Sequence, residues 1–250
     1  MKALITGASS GIGRDMARYL SNLGYDLVIV ARRENLLEEL KQELTKTEVI
    51  IEKADISNPD VCKELFEKYK DIDVLINNAG FGKFGEFDKI ELNDELNMIY
   101  TNVIGLHVLT KLYVQEMKEK NKGYILNVAS SAGLFPGGPL MSTYYATKSY
   151  VISLTRGIAE ELKIAGSNVK IVALCPGPVD TNFNNIANVK FSLKSLSSKY
   201  VAKYGIDQML KGKRIIIPGW MTKVACLGAK FFPSDIMLKI VYNQQKSKGN

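Results

Sequence analysis

Tyr144 and Lys148 stand four residues apart in Tyr144-Tyr145-Ala146-Thr147-Lys148. At that spacing two side chains share one face of a helix. A phenol beside an ammonium can give and take a proton. A free tyrosine titrates near ~10, and a neighbouring positive charge favours the phenolate and lowers that value. Tyr145 has no lysine four residues further on. The same spacing also arises on the solvent face of an amphipathic helix, so the rest of the chain must decide between the two readings.

Other proton chemistry has little material. His107 is the single histidine and lies in an apolar helical stretch, where a packing role is expected. A Ser-His-Asp triad or a histidine-based metal site is not expected. Cys62, Cys175 and Cys226 are far apart and odd in number. They read as reduced thiols that pack as small hydrophobes, not as a disulfide framework or metal cluster.

A chain of 250 residues, 46% hydrophobic and 24% charged, suits one α/β domain with a full core. It has no run of 18 apolar residues, and Met1-Lys2-Ala3-Leu4-Ile5-Thr6-Gly7 enters a strand directly rather than through a signal peptide. A cytoplasmic location, or a peripheral one on a cytoplasmic membrane face, is expected. The net charge of +7 is uneven, because residues 190–250 hold 12 Lys/Arg against 2 Asp/Glu. Such a segment is either a solvated face or one drawn to anionic lipid or an acidic partner. No nucleic-acid partner is expected.

The elements that must position Tyr144 and Lys148 follow an alternating pattern. Apolar runs predict strands over Lys2–Thr6, Asp26–Ala31, Val49–Ala54, Asp73–Asn77, Tyr124–Ala129 and Val169–Cys175. Helical patterns lie between them: one running to about Leu23, then Asn35–Thr45, Pro59–Tyr69, a long Asn93–Lys120 and Thr143–Ala165. Such alternation predicts an α/β fold, a doubly wound Rossmann-type parallel sheet with helices on both faces. Thr181–Ser198 reads as a mobile helical flap, Tyr200–Leu210 as a helix and Arg214–Ile217 as a seventh strand. Residues 1–219 are expected to form one domain, with a substrate lid within 182–210. Residues 220–250 follow as an apolar, basic helical extension broken at Pro233.

In such a sheet ligands sit at the carboxyl ends of the strands. Thr6-Gly7-Ala8-Ser9-Ser10-Gly11-Ile12-Gly13 falls between the first strand and the first helix. Its glycines suit a tight turn and close approach to a pyrophosphate at the helix start. The second strand ends in Ala31-Arg32-Arg33 with no acid before Glu34. Paired guanidiniums suit a ribose 2′-phosphate, so NADP(H) is expected over NAD(H), with Arg32 the main contact and Arg33 beside it. Asp55 and Ile56 would lie beside the adenine. Asn78, Ala79 and Gly80 let the chain pass close to the cofactor, and an amide there can tie neighbouring strands together.

Taken together, Thr6-Gly-x-x-x-Gly-x-Gly13, Asn77-Asn-Ala-Gly80, Ser130, Tyr144-x-x-x-Lys148 and Pro176-Gly177 resemble the short-chain dehydrogenase/reductase family in order and spacing, over residues 1–181. The resemblance implies that Tyr144 is the general acid–base and that Lys148 lowers its pKa and holds the nicotinamide ribose. It implies that Ser130 orients the substrate oxygen and that Asn102 anchors a water in the proton relay. Pro176, Gly177, Val179 and Thr181 would close over the nicotinamide. Counting from Gly123 selects Ser130, whereas counting back from Tyr144 selects Ser131. The strand count is preferred, because the loop Leu134–Pro139 runs one residue long.

The expected activity is NADPH-dependent reduction of a ketone or aldehyde, or the reverse oxidation. The alternative is an NADP-binding regulatory or membrane-associated protein on the same fold. The substrate is expected to be hydrophobic, and the assembly a homodimer or homotetramer. Residues 220–250 read either as a helix pair packed on the domain or a second subunit, or as a membrane-surface anchor.

Overall fold

The computed structural model describes residues 1–180 and 195–246. Strands β1 (Lys2–Thr6), β2 (Asp26–Ala31), β3 (Val49–Lys53), β4 (Val74–Asn77), β5 (Tyr124–Val128) and β6 (Lys170–Leu174) alternate with helices α1 (Gly11–Asn22), α2 (Glu34–Glu43), α3 (Pro59–Lys68), α4 (Leu92–Ile99), α5 (Leu106–Glu119) and α6 (Ser142–Ile164). The short strands β7 (Val179–Asp180) and β8 (Leu196–Ser197) pair with each other. Then come α7 (Ser198–Leu210), β9 (Ile215–Ile216), α8 (Trp220–Gly228) and α9 (Ser234–Lys246). The main sheet has seven parallel strands in the order β3-β2-β1-β4-β5-β6-β9. This is the doubly wound arrangement that the alternation predicts.

Strand residues alternate between faces, and each face is covered. Ala3, Ile5, Leu27, Ile29 and Ile76 pack against Met16 and Leu20 of α1, Leu37 and Leu40 of α2, and Val201, Ile206 and Met209 of α7. Leu4, Val28, Leu75, Ile125 and Ile171 pack on the other side against Leu65 of α3, Leu109, Tyr113 and Met117 of α5, and Leu162 of α6. All three cysteines are buried as free thiols.

Buried amides hold the central strands in register with the helices behind them. Asn77 Nδ2 donates to Thr110 Oγ1 at 3.0 Å and to Asn127 Oδ1 at 2.9 Å. Asn127 Nδ2 donates to Thr155 Oγ1 at 3.0 Å. α5, β4, β5 and α6 are thus tied at the strand ends from which the loops of interest leave.

The structure differs from the sequence expectation in the long helix after β4, at Leu196–Ser197 and at His107. The helix expected over Asn93–Lys120 is α4 and α5 joined by a π-helical segment, Tyr100–Gly105, which carries Asn102. Leu196–Ser197, expected within a helical flap, is the strand β8. Residues 181–194, most of that flap and the front of the expected lid, lie outside the described residues. Ser198–Leu210, the rest of the expected lid, is α7, packed on α1, with Tyr19 Oη donating to Asp207 Oδ1 at 2.6 Å. His107 does not pack: it is exposed on α5, with Nδ1 2.7 Å from Tyr150 Oη.

Candidate active site

A cavity of about 870 Å³ opens along the carboxyl ends of the strands, from the β1–α1 loop to the start of α6. Its floor at the β1 end is held by Thr6. Asn78 N and Ala79 N donate to Thr6 Oγ1 at 3.0 and 3.1 Å. Asn78 Nδ2 donates to the carbonyls of Thr6 and Gly7 at 3.0 and 3.1 Å. Gly7 has φ of 67°, and a Cβ there would lie 2.7 Å from Ala79 Cα, so both the conformation and the close approach demand glycine. The Asn-Ala segment after β4 is thereby clamped to the glycine turn after β1.

The two arginines do different things. Arg33 Nη2 donates to Ser9 Oγ at 3.0 Å and Ser10 Oγ at 2.9 Å, which ties the end of β2 to the glycine turn. Arg32 is exposed, with a loose ion pair to Asp55 at 3.6 Å. Both line the cavity, together with Asp55, Ile56, Asn78, Ala79 and Gly80.

At the other end the start of α6 presents Tyr144, and Lys148 lies one turn on. Lys148 is buried, and its Nζ donates to the Val128 carbonyl at the end of β5 at 2.9 Å. Burial lowers its pKa to about 8. Tyr144 is half-buried by its neighbours but reaches the cavity. Burial raises its pKa to about 12, against a hydrogen bond with the Ser130 side chain that favours the anion. The lysine is expected to lower the phenol's value; here burial is the largest influence on the phenol and raises it. Lys148 Nζ sits 5.9 Å from the Tyr144 ring centre, turned to the Val128 carbonyl.

Ser130 caps the short 3-10 turn Ser131–Leu134, its Oγ accepting from Ala132 N at 3.1 Å. The Ser131 backbone N–H instead donates to the Pro176 carbonyl at 2.8 Å, joining the β5 loop to the β6 loop. Of the two adjacent serines, Ser130 is the one that meets Tyr144.

Asn102 is fully buried and lies behind the cavity wall. Its Oδ1 accepts from Phe81 N at 3.0 Å, and its Nδ2 donates to the Phe81 carbonyl at 2.8 Å and to Thr147 Oγ1 at 3.2 Å. Its amide group thus clamps the chain after Gly80 to α6. Gly13 shapes the turn without lining the cavity, whereas Pro176, Gly177 and Val179 do line it. Thr181 lies outside the described residues.

The sequence reading missed the contribution of the C-terminal helices. Met221, Thr222, Ala225 and Cys226 of α8, with Gln244 and Gln245 of α9, form one wall of the cavity. Gln245 Nε2 donates to Tyr145 Oη at 2.7 Å, so α9 is pinned to the residue next to Tyr144. The spacing Met237, Val241, Gln245 marks a helix face, and these three are buried.

Comparison with known proteins decides the family. The family model for short chain dehydrogenases matches residues 1–190. The chain belongs to the short chain dehydrogenase family. An NADP-dependent 3-hydroxy acid dehydrogenase of Schizosaccharomyces pombe is 39% identical over 193 residues, covering 72% of each chain. A short-chain dehydrogenase of Sphingobium yanoikuyae solved with NADPH superposes with a TM-score of 0.83 at 27% identity, covering 92% of this chain and 93% of that one. A family member from Burkholderia phymatum solved with NAD gives 0.82 at 28%, covering 95% and 94%.

This short chain dehydrogenase is an oxidoreductase, and its cavity fits a nicotinamide dinucleotide. The volume lies in the range of cofactor sites. The Gly7 turn and the Asn78-Ala79-Gly80 segment lie open along one side, and polar groups stand at both ends: Arg32, Arg33, Ser9 and Ser10 at one, Tyr144, Lys148 and Ser130 at the other.

Proposed function

We propose that this short chain dehydrogenase reduces a ketone or aldehyde with NADPH, or runs the reverse oxidation. The observation that carries the reading is the convergence of Ser130, Tyr144 and Lys148 on one cavity wall. Bound there, the cofactor would supply or take the hydride. Tyr144, Lys148, Pro176, Gly177 and Val179 would hold its nicotinamide end, and Gly7, Ser9, Ser10, Gly11, Ile12, Asp55, Ile56, Asn78, Ala79 and Gly80 the remainder.

The chain's own groups handle the proton. With its pKa raised to about 12, the Tyr144 phenol is protonated at neutral pH and donates to the carbonyl oxygen. The Ser130 hydroxyl hydrogen-bonds the same oxygen and stabilises the charge that develops on it. The Lys148 ammonium, beside the phenol, favours the phenolate that forms. In oxidation the same groups act in reverse. Asn102 keeps the Phe81 turn and α6 in place through its three hydrogen bonds.

NADPH is proposed over NADH because the end of β2 presents Arg32 and Arg33 to the cavity with no acid in the chain there before Glu34. Arg32 is free to swing onto a phosphate, since its partner is a loose, exposed ion pair. Arg33 reaches the same region through Ser9 and Ser10. A hydrophobic substrate is proposed because Phe81, Phe135, Met141, Tyr145 and Met221 line the cavity near Tyr144. A homodimer or homotetramer is inferred from the exposed apolar side chains Phe87, Leu92, Ile99 and Tyr150, and a cytoplasmic location from the free thiols.

The test is NADPH and NADH consumption across a panel of apolar ketones, aldehydes and 3-oxo acids, with Tyr144→Phe beside the parent. Turnover is expected with NADPH, at least ~10-fold better in kcat/KM than with NADH. Equal use of both cofactors overturns the phosphate assignment, and undiminished turnover by Tyr144→Phe overturns the proton assignment.

A further inference from the structure

In α8, Trp220, Val224 and Leu227 form one helical stripe that Phe231 extends, a spacing that ordinarily faces a core. Here it faces solvent: Trp220 is 74% exposed, Val224 60%, Leu227 55% and Phe231 80%. α9 repeats the arrangement. Ile236 and Ile240 point outward, while Met237, Val241 and Gln245 on the other side are buried. Scattered exposed apolar residues are ordinary, but a continuous patch of them marks a binding surface.

Charge indicates what the patch binds. Lys223 and Lys239 on these two helices, and Lys230 between them, are exposed and make no ion pair among the described residues. Lys63, Lys120 and Lys203 elsewhere do. Asp235 is the one acid within α8 and α9. We propose that the outward face of α8 and α9 docks on an anionic lipid surface.

The rings and branched side chains would enter the headgroup boundary while the lysine heads stay at phosphate level. A two-fold contact with a second copy would set the lysines of one chain against those of its partner. No helix of the described residues is long and apolar enough to cross a membrane, so the contact lies in the membrane plane. The inward side of α8 lines the cavity through Thr222 and Cys226. Docking would therefore bring an apolar substrate held in lipid next to the cavity wall. That consequence rests on the carbonyl-reductase reading; the docking itself does not.

Trp220 is the chain's single tryptophan and sits in the patch, so it reports directly. The full chain, with and without NADPH, is mixed with vesicles of phosphatidylcholine alone or with about a third phosphatidylglycerol. Trp220 emission is expected to shift to the blue and the protein to sediment with the anionic vesicles, with apparent affinity at least ~10-fold tighter than for neutral ones. Salt at ~0.5 M should reverse it. Leu227→Ser with Phe231→Ser removes exposed side chains only and keeps Trp220; it should weaken vesicle binding at least ~10-fold. Absence of binding by the full chain, or equal binding to neutral vesicles, overturns the proposal. So does a concentration-dependent dimer that the same variant abolishes without any vesicle binding, which assigns the face to a second copy. The readout does not depend on turnover, so its failure is distinct from failure of the catalytic reading.

Discussion

Burial acts on Lys148 and Tyr144 through the same physics and with opposite results. It disfavours the charged form of each, so the lysine falls to about 8 and the phenol rises to about 12. Both values belong to the protein without its cofactor. For reduction, kcat/KM is then expected to fall as pH rises through about 8, where the ammonium loses its proton while the phenol keeps its own. A flat profile from pH 7 to 10 would remove Lys148 from the proton step. Tyr144→Phe should lower kcat by ~10²–10⁴ with NADPH affinity retained, as measured by cofactor fluorescence titration. Stability gives an independent reading of Lys148. Its folded-state pKa lies below the unfolded one, so between about pH 8 and the ordinary lysine range the unfolded chain holds the extra proton. Stability rises with pH across that window, and below it the desolvation penalty is present in full. Lys148→Met should therefore abolish activity yet raise stability at pH 7 by about 1–3 kcal/mol, less what the unpaired Val128 carbonyl costs, with the gain shrinking towards pH 10. Thermal unfolding at both pH values checks this.

The π-helical segment Tyr100–Gly105 is the element that sets the back of the site. It turns Asn102 onto the Phe81 backbone and brings Gly105 against the β3–α3 loop. A Cβ on Gly105 would lie 2.0 Å from the Ile56 carbonyl oxygen, backbone that cannot swing aside. Gly105→Ala should cost about 1–3 kcal/mol or more and displace Ile56 from the cofactor cavity. Urea unfolding and NADPH affinity should both suffer; wild-type values for both would contradict the close packing. Gly105 was legible in the chain as the one interruption of the Asn93–Lys120 helix, but the π-helical turn was not, because one extra residue in a helical turn leaves the apolar periodicity nearly unchanged. The strands were visible for the converse reason. Runs such as Leu27–Ala31 and Ile171–Leu174 are covered on both faces, and only a parallel sheet needs that. The glycine turn was legible from its place between a strand and a helix, and Tyr144 and Lys148 from their four-residue spacing; Ser130 was legible only through the family resemblance, since spacing also offered Ser131. The pairing of Arg33 with Ser9 and Ser10 was not, because a guanidinium can reach several partners from one backbone position.

At the scale of the whole molecule, the C-terminal helices are part of the site rather than an appendage to it. Their helical spacing could not say which face would be covered, because apolar residues lie on both faces. The covered face holds Met237, Val241 and Gln245, and it rests beside Tyr145. Ending the chain after Pro233 would delete the first two, whose burial is worth about 1.5–3 kcal/mol each, uncover the surface they rest on, and remove the partner of the Tyr145 hydroxyl. A loss of about 3–6 kcal/mol is a large share of the stability of an ordinary domain. The urea midpoint should drop accordingly, and the truncated chain could lose activity simply by unfolding. Gln245→Ala separates the two effects. It leaves the apolar contacts of α9 in place and deletes the 2.7 Å bond to Tyr145. Its stability loss should stay near ~1–3 kcal/mol, the range for an unpaired buried polar group. If α9 serves as a wall of the carbonyl site, KM for the carbonyl should rise several-fold while KM for NADPH stays close to that of the parent, because the proposed phosphate contacts, Arg32, Arg33, Ser9 and Ser10, line the far end of the cavity. Equal changes in both KM values would mean that α9 supports the fold alone.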